Sequence, residues 1–402
     1  MGMLSVQDAL TQILQSISPL GTEQVLMLDG LGRSLAEPLM ARRQLPAWDN
    51  SAMDGYALRA ADVQEGHAPL VVCGEIPAGT TVDRFVPKGH CARIFTGAPL
   101  PTGCDTVMIQ ENAVVDEQGG VRFTRSAKHG ENVRRQGSDV EVGATILPMG
   151  RVITAGDIGL AVAQGHSTLK VIRQPTVAIF STGAELIDVD AGDPIHGQIV
   201  NSNVWTLAAA VKSQGGLPQV LPIVPDDYHA TLEALKAACT ADVVLSCGGM
   251  SVGDYDFVRD ALIELTGDGF SFWKVAIKPG KPLGFGQYNG SVIFGLPGNP
   301  ASAMVTFDIF VRPALAKLQG KPEQPRTRQT LRCRHALKPG IRRDTYLRAQ
   351  ITVDESGERW VDASRNQSSG ALSSIAGVDA YIVRPAGSPA EDSGAWVEVI
   401  EL

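Results

Sequence analysis

Five short segments combine glycines or prolines with charged or polar side chains, and each of them follows an apolar run. They are TGAEL (182–186), PDD (225–227), CGGMSVGDYD (247–256), KPGKP (278–282) and PGNP (297–300). Backbone N–H groups of glycines and lysine ammonium groups bind anions without reacting with them. Carboxylates hold hard cations such as Mg²⁺. The segments therefore predict an anion site with carboxylates beside it, and a metal bound there would be a hard cation such as Mg²⁺.

The charged side chains of this predicted site have opposite signs. The cations are Lys274, Lys278 and Lys281, and the carboxylates are Glu185, Asp226, Asp254 and Asp256. Two of the carboxylates stand at the end of the glycine-rich segment itself, where an anion alone would be repelled. Asp256 could hold a cation that offsets this repulsion, and Asp254 is either a second ligand or the cap of the following helix.

An alternation of strand and helix patterns over residues 173–320 would position these segments. Runs such as TVAIFST and DVVLSC are typical of buried strands, and amphipathic stretches between them are typical of helices. The last helix should be disturbed at Pro313. The alternation predicts a three-layer α/β domain whose mostly parallel sheet is covered on both faces. Ligands of such sheets bind beyond the carboxyl ends of the strands.

Each segment alone also has a purely structural interpretation. The glycine-rich segment matches neither a Walker A motif nor a dinucleotide fingerprint and could be a tight turn. PGNP could simply begin a helix, KPGKP could be a charged hairpin, and Asp226 could cap a helix. Asn201-Ser202-Asn203 offers caps for the helix that follows it. It is the joint placement at one sheet edge that favours a binding site.

The sequences on either side of residues 173–320 have different hydrophobic patterns. Residues 6–17 show a helical apolar face, and residues 46–140 alternate short β-prone runs with Gly and Pro turns. The last part of the chain, after the linker-like KPEQPRTR, consists of strand-like runs. Within 46–140, the segments PAWDNSAMDGYAL, RIFTGAPLPTGCDTV and NVRRQGSDV carry clustered polar residues. Capped turns, and a surface ion pair of Arg134 or Arg135 with Asp139, are equally good explanations of them.

Composition excludes several functional classes. The 402 residues carry a formal net charge of −8, which argues against broad nucleic-acid binding. No run approaches the roughly 18 apolar residues of a membrane span. The six cysteines and seven histidines are scattered, so neither a zinc cluster nor a disulfide framework is expected. The N-terminal segment lacks a signal-peptide pattern, and we expect a cytoplasmic protein.

Seven ordered motifs together resemble one family, the molybdopterin molybdenumtransferases, which insert molybdenum during molybdenum cofactor biosynthesis and include the E domain of gephyrin. They are NSAMDGYA (50–57), RIFTGAPLPTGCDTV (93–107), RRQGSDV (134–140), STGAEL (181–186), SCGGMSVGDYD (246–256), WKVAIKPGKP (273–282) and GLPGNPASA (295–303). The N-terminal helix and the β-rich tail also fit, so the resemblance covers essentially the whole chain. Ala184 departs from the polar residue that is frequent in the family.

The resemblance implies four domains and a homodimer. They are an elongated domain (1–45 plus 141–172), a β-rich insert (46–140), an α/β molybdopterin-binding domain (173–320) and a small β-barrel-like C-terminal domain (321–402). The active site would lie between the α/β domain of one subunit and the insert of the other.

The resemblance also implies roles for individual residues. Catalytic roles fall on Asp54, Thr96, Asp139, Glu185, Asp226 and Asp256, and Mg²⁺ ligation on the last three. Substrate binding falls on Gly248, Gly249, Ser251, Gly253, Lys274, Lys278, Lys281, Pro297, Gly298, Asn299, Arg348 and Ser369. The implied reaction takes adenylyl-molybdopterin and molybdate to molybdenum cofactor and AMP.

Two other functions are compatible with parts of this sequence. A molybdopterin adenylyltransferase shares the α/β domain but is usually a shorter chain without the insert and the tail. A non-catalytic dimeric scaffold would not need the site carboxylates. A molybdopterin adenylyltransferase and maturation factors of molybdoenzymes are expected partners, whereas nucleic acid and membrane are not. The residues do not distinguish molybdate from tungstate.

Overall fold

The computed structural model describes residues 3–79, 84–250, 257–322 and 328–402. The α-helices are α1 (Val6–Ser16), α2 (Ala155–Ala163), α3 (Ser202–Ser213), α4 (Tyr228–Ala238), α5 (Phe257–Thr266), α6 (Pro300–Thr306) and α7 (Arg312–Leu318). A π-helical turn, Phe307–Val311, joins α6 to α7. It ends two residues before Pro313, which lacks an N–H, so the predicted disturbance of this helix is present. None of the helices in the described ranges is long and apolar enough to span a membrane.

The first 172 residues contain many short strands. They are β1 (Thr22–Leu26), β2 (Leu39–Met40), β3 (Asn50–Ser51), β4 (Gly55–Leu58), β5 (Leu70–Ile76), β6 (His90–Ile94), β7 (Thr106–Ile109), β8 (Ala113–Val115), β9 (Gly120–Phe123), β10 (Val133–Arg134), β11 (Thr145–Leu147) and β12 (Thr168–Ile172). Six of these strands form one sheet in the order β7-β4-β6-β5-β9-β8. The expectation of a β-rich insert is confirmed.

The chain enters and leaves the insert at neighbouring points. Strand β1 pairs with β12, and β2 pairs with β11, both antiparallel. At the start and end of the insert, the Leu45 N–H donates to the Val140 carbonyl over 2.8 Å, and the Val140 N–H donates back over 3.1 Å. The elongated segment is thus built from two distant parts of the sequence.

The central sheet gives the protein its α/β character. Its region contains β13 (Thr176–Ser181), β14 (Leu186–Ile187), β15 (Ile199–Val200), β16 (Leu217–Val220), β17 (Val243–Cys247), β18 (Phe270–Lys274), β19 (Ile277–Lys278), β20 (Pro282–Tyr288) and β21 (Ser291–Leu296). The sheet order is β16-β13-β17-β21-β20-β18. The first four strands in this order are parallel, and β20 runs antiparallel to both of its neighbours.

Two apolar layers cover the central sheet. Side chains of α1, α3, α6 and α7 pack on one face, and side chains of α4 and α5 pack on the other. The predicted three-layer arrangement is confirmed. Helix α1 packs here through Val6, Ala9 and Ile13, although its residues belong to the predicted elongated domain. The domain boundaries themselves stay predictions.

The C-terminal region forms a closed five-strand barrel. Its strands are β22 (Arg328–Cys333), β23 (Asp344–Val353), β24 (Arg359–Asp362), β25 (Ala380–Arg384) and β26 (Trp396–Glu401), and the β23–β25 pairing closes the ring. Strand β19 of the α/β region adds to β23. The buried Tyr381 hydroxyl donates to Asp308 over 2.8 Å. These contacts fix the barrel beside the α/β region.

Candidate active site

The carboxyl ends of three central strands lie side by side. Register pairs Ser181 with Cys247, and Cys247 with Leu296. The ladder continues one step into the loops, because the Gly248 N–H donates to the Leu296 carbonyl over 3.1 Å. The loops after β13, β17 and β21 therefore leave the sheet at one edge, as expected from the parallel topology.

Asp226 and Glu185 meet around the loop that follows β13. An Asp226 carboxylate oxygen accepts the Ala184 N–H over 2.8 Å. The Glu185 carboxylate folds back over Gly183, whose φ of +153° and lack of a side chain leave the space it occupies. The structural alternative for Asp226 is wrong: Asp227 caps α4, accepting the Ala230 N–H over 2.8 Å. Asp226 is thus available to the loops at the sheet edge.

The turn after β17 requires glycine at two successive positions. Gly248 has a φ of +104° and Gly249 a φ of +61°. A Cβ at Gly248 would come within 2.8 Å of the Thr182 carbonyl oxygen, and one at Gly249 within 2.6 Å of a Val258 methyl group. Only glycine, which has no side chain, fits both positions of this turn, so its backbone is left uncovered there. The remaining predicted residues of this segment, Ser251, Gly253, Asp254 and Asp256, lie outside the described residues.

The Pro297–Asn299 loop is held from below. The Cys247 thiol lies 3.3 Å from the Pro297 carbonyl oxygen, and the Asn203 side-chain amide donates to the Gly298 carbonyl over 2.6 Å. Asn299 then occupies the N-cap position of α6, with Pro300 in the first turn. The helix-start interpretation of PGNP is therefore correct. Pro297 is buried, whereas Gly298 and Asn299 are exposed at the sheet edge.

The lysine segment lies between the sheet and the barrel. Lys278 and Lys281 are exposed, and Lys274 is half-buried. The Val275 N–H donates to the Lys281 carbonyl over 3.0 Å and closes the loop. Gly280 has a φ of +106°, and its Cα faces Thr306 on α6 so closely that a Cβ would overlap the threonine methyl group. The backbone of this loop is fixed while its ammonium groups stay in solvent.

The barrel contributes a loop to the same edge. The Ser369 carbonyl accepts the Ala301 N–H over 3.1 Å, beside Asn299. Arg348 lies behind this loop at 1% exposure, and its guanidinium donates to Ser374 and to the carbonyls of Asn366 and Ser368. Burial lowers the pKa of Arg348, and Tyr381 opposes that shift. The structure thus gives Arg348 contacts that shape the loop carrying Ser369.

In the insert, Asp54 and Thr96 form a local pair. An Asp54 oxygen accepts the Thr96 N–H over 2.7 Å and the Thr96 hydroxyl over 2.8 Å. These two hydrogen bonds lower the pKa of Asp54, against a small opposing effect of desolvation. In the described part of the chain, no hydrogen bond joins Asp54, Thr96 or Asp139 to the loops of the α/β region.

The prediction that Arg134 or Arg135 pairs with Asp139 is wrong. Arg135 pairs with Asp49 over 2.6 Å, and the Gln136 N–H donates to the same carboxylate. The Asp139 N–H instead donates to the Leu45 carbonyl over 2.9 Å. Asp139 lies at the mouth of the insert with an exposed side chain.

A cleft of about 640 Å³ lies elsewhere, between the β1–β12 ribbon and residues 35–42. Its charged groups are used within the protein: Lys170 pairs with Glu37 over 3.1 Å, and Arg42 donates to the Gly165 carbonyl. The strand-end loops, with their glycines, lysines and carboxylates, are the better candidate for chemistry.

Known protein families match the N-terminal region, the α/β region and the C-terminal region of this chain. Residues 4–165 match the family model described as "MoeA N-terminal region (domain I and II)". Residues 178–317 match "Probable molybdopterin binding domain", and residues 330–402 match "MoeA C-terminal region (domain IV)". A molybdopterin molybdenumtransferase of Nostoc sp. is 38% identical over 415 aligned positions, covering 100% of this chain and 94% of that protein. The chain belongs to the MoeA family.

Further relatives agree with this assignment. A molybdopterin molybdenumtransferase of Haemophilus influenzae is 35% identical, with 95% of this chain and 94% of that protein aligned. The crystal structure of the molybdopterin biosynthesis MoeA protein from Pyrococcus horikosii is 29% identical and superimposes with a TM-score of 0.84, covering 100% and 99% of the two chains. The resemblance inferred from the ordered motifs is confirmed, and so is the multi-domain MoeA fold.

The candidate site draws on all three regions that match the MoeA family models. Asp54, Thr96 and Asp139 come from the N-terminal match, the strand-end loops from the molybdopterin-binding match, and Ser369 from the C-terminal match. Within one chain, the strand-end loops and the barrel loop that carries Ser369 lie together. The roles assigned to the individual residues stay predictions.

The fit of the site to Mg²⁺ depends on its carboxylates. Asp226 and Glu185 offer oxygen ligands on adjoining loops, which suits a hard cation. Among the described residues, no group of three or more His, Cys, Asp or Glu side chains is arranged to hold a metal ion. The third predicted ligand, Asp256, lies outside those residues. The donor chemistry fits, and the ligand set stays a prediction.

Asn203 is a residue of this site that the sequence analysis missed. The sequence pattern Asn201-Ser202-Asn203 indicates only a helix-capping role for it. In the structure Asn201 has the N-cap position of α3 without a side-chain cap bond, and Asn203 points to Gly298 instead. A polar residue in the first turn of a helix that follows a site loop is the signal that could have revealed it.

Proposed function

We propose that this protein is a molybdopterin molybdenumtransferase, which takes adenylyl-molybdopterin and molybdate and yields molybdenum cofactor and AMP. The observation that carries the proposal is identity of 38% over the full chain to a protein of that name. The strand-end loops at one sheet edge supply a site of matching chemistry. We also propose that the protein acts in the cytoplasm.

The anionic substrates would be held by positive charge and backbone donors. Lys274, Lys278 and Lys281 supply ammonium groups at the sheet edge, where two are exposed. Backbone N–H groups of the Gly248–Gly249 turn and of the Pro297–Asn299 loop would bind phosphate or molybdate oxygens. Ser251 and Gly253, which lie outside the described residues, are assigned to the same role. Ser369 would close the site from the barrel, with Arg348 supporting its loop.

Cleavage of the phosphoanhydride adds water across the bond between the two phosphates, and AMP leaves. Asp226, Glu185 and Asp256 would orient that water and hold Mg²⁺. When bound, Mg²⁺ supplies neutralisation of the negative charge that develops on phosphate oxygens. The Ala184 N–H bond to Asp226 keeps that carboxylate turned toward the loop of Glu185.

The site would be completed by a second copy of the chain. We assign Asp54, Thr96 and Asp139 of the partner's insert to the site, because in one chain their hydrogen bonds stay within the insert and its base. Trp48 and Met53, which precede Asp54 in the same segment, are 54% and 45% exposed, as is common for interface residues.

The test is AMP release by the purified protein. With adenylyl-molybdopterin, molybdate and Mg²⁺, we expect stoichiometric AMP and active cofactor, measured by reconstitution of a cofactor-free molybdoenzyme. ATP and molybdopterin without adenylylation should give no product. Consumption of ATP would instead identify an adenylyltransferase. A protein that bound neither molybdopterin nor AMP would be a scaffold. Tungstate in parallel reactions measures selectivity between the oxyanions.

The same assay can include the expected protein partners. A molybdopterin adenylyltransferase would supply the adenylylated substrate directly, and a maturation factor would accept the cofactor. We expect turnover to rise when the adenylyltransferase is added with ATP and molybdopterin. No rise above the rate with purified substrate would argue against direct transfer between the two proteins.

A further inference from the structure

Two consecutive carbonyl groups of the Pro297–Asn299 loop are bound on the same side by side chains. The Asn203 amide nitrogen lies 2.6 Å from the Gly298 carbonyl oxygen and 3.3 Å from the Cys247 sulfur. The Cys247 sulfur lies 3.3 Å from the Pro297 carbonyl oxygen. Asn203 and Cys247 therefore form a connected pair beneath the loop.

The pair is itself firmly placed. Asn203 is in the first turn of α3, next to Val204, which packs in the main core with Leu207. Cys247 is the last residue of β17 and is 2% exposed. Burial raises the pKa of the Cys247 thiol to about 12, against opposing hydrogen bonds, so the group stays protonated and can donate. Both anchors belong to rigid elements rather than to loops.

The fixed carbonyls determine where the amide N–H groups of the loop point. In a planar trans peptide group the N–H is antiparallel to the C=O. The Pro297 and Gly298 carbonyls point toward Cys247 and Asn203. The Gly298 and Asn299 N–H groups therefore point away from these two side chains. Neither of these N–H groups donates to a protein acceptor within the described ranges, and both residues are exposed. The loop thus presents two aligned donors to an external acceptor.

We infer that Asn203 is a positioning residue for substrate, which with Cys247 orients the Gly298 and Asn299 N–H groups toward a phosphate group of the substrate. The inference rests on the proposed function and names how one loop of that site recognises its ligand. Each half of the phosphoanhydride carries one phosphate group. Both halves share the acceptor chemistry, and binding experiments separate them.

The first test compares Asn203→Asp with the wild type. The change conserves volume but replaces the donor with a carboxylate that repels the Gly298 carbonyl. We expect KM for adenylyl-molybdopterin to rise about tenfold or more with kcat nearly unchanged, because lost ground-state binding raises KM. The KM difference should shrink at lower pH, where a protonated carboxyl can donate again. The control is Thr206→Ala, whose hydroxyl bonds only the Ser202 carbonyl on α3.

The second test keeps the inference falsifiable if Asn203→Asp does not fold. Cys247→Ser retains a donor to the Pro297 carbonyl, and Cys247→Ala removes it at similar volume. We expect a higher KM for the alanine variant than for the serine variant. Equal KM values for these two variants, or a wild-type KM in folded Asn203→Asp, would overturn the inference.

Binding measurements identify the phosphate. Calorimetric titration of Asn203→Asp with AMP and, separately, with molybdopterin should show weaker binding of at least one of them. The weakened ligand contains the phosphate that the loop contacts. Unchanged affinity for both ligands would also overturn the inference. A wild-type protein that releases no AMP would refute the proposed function instead, so the two failures are distinguishable.

Discussion

At the scale of single residues, Asp54 shows how a neighbour sets the charge of a site carboxylate. The Thr96 N–H and hydroxyl both donate to one Asp54 oxygen and favour its ionised form. The lowered pKa means that ionisation of Asp54 favours the folded state above the ordinary carboxyl pKa. That contribution is lost as pH falls through the lowered value.

Thr96→Val should raise the pKa of Asp54 toward its ordinary value of 3.8 without reaching it, because the backbone bond remains. Thr96→Ser, which keeps the hydroxyl, should leave the pKa near that of the wild type. Titration of the ¹³C-labelled carboxyl by NMR, assigned with Asp54→Asn, measures both. A pKa in Thr96→Val equal to that in Thr96→Ser would show that the hydroxyl bond has no effect.

Asp226→Asn should separate charge from position. An asparagine oxygen can still accept the Ala184 N–H, so the loop should keep its shape and Tm should change little. AMP release should fall by at least about tenfold and need more Mg²⁺. The matched control is Asp227→Asn, whose side chain caps α4. If Asp226→Asn showed the wild-type dependence on Mg²⁺ concentration, Asp226 would not be a ligand of the cation.

At the scale of elements, the strand–helix alternation was predictable because buried strands and amphipathic helices leave clear periodicities. The exception is β20, whose PLGFGQY sequence contains one proline and two glycines and was not predicted as a strand. Its signal is Asn289-Gly290, a two-residue turn with φ of +49° and +84° that joins β20 to β21. Local turn chemistry, not apolar periodicity, defines this hairpin.

The placement of the strand-end loops was predictable to the same extent as the strands and helices, whereas the roles of their residues stay predictions. Strand-end loops were located correctly because a parallel sheet places them at one edge. The Asn203–Gly298 and Arg135–Asp49 contacts were not predictable, because they join residues 95 and 86 positions apart. No pattern within a single segment encodes such pairs, and only the folded chain brings them together.

Gly280→Ala tests whether the lysine loop depends on its close packing against α6. Positive φ and overlap with Thr306 should together cost about 3 kcal/mol of unfolding free energy, and the displaced loop should weaken substrate binding. Gly290→Ala is the matched control: its φ is +84° but nothing lies near its Cα, so about 1 kcal/mol is expected. Urea denaturation measures both variants. Equal costs would show that contact with Thr306 is unimportant.

At the scale of the whole molecule, the proposed site needs two chains. If Asp54 acts from one subunit and Asp226 from the other, a mixed dimer of Asp54→Ala and Asp226→Ala subunits contains one fully wild-type site. Random exchange of two inactive homodimers should then restore about a quarter of wild-type AMP release.

Exchange of these subunits can be followed by native mass spectrometry of differently tagged chains. The control mixes Glu185→Ala with Asp226→Ala, which inactivate the same half of the site, and should restore nothing. Activity that stayed absent in the first mixture, although mixed dimers had formed, would contradict a shared site. A monomeric protein would contradict it more directly.

The discontinuous elongated segment has a consequence for synthesis on the ribosome. Strand β1 must wait for its partner β12 while roughly 140 further residues are translated, which takes on the order of 10 s at ordinary rates of translation. During that interval the insert can fold, and the Leu45–Val140 bonds bring its two ends together. The loop that β1 and β12 must close is then far shorter, which lowers its entropic cost. A folded insert would in this way act as a built-in template for the segment that encloses it.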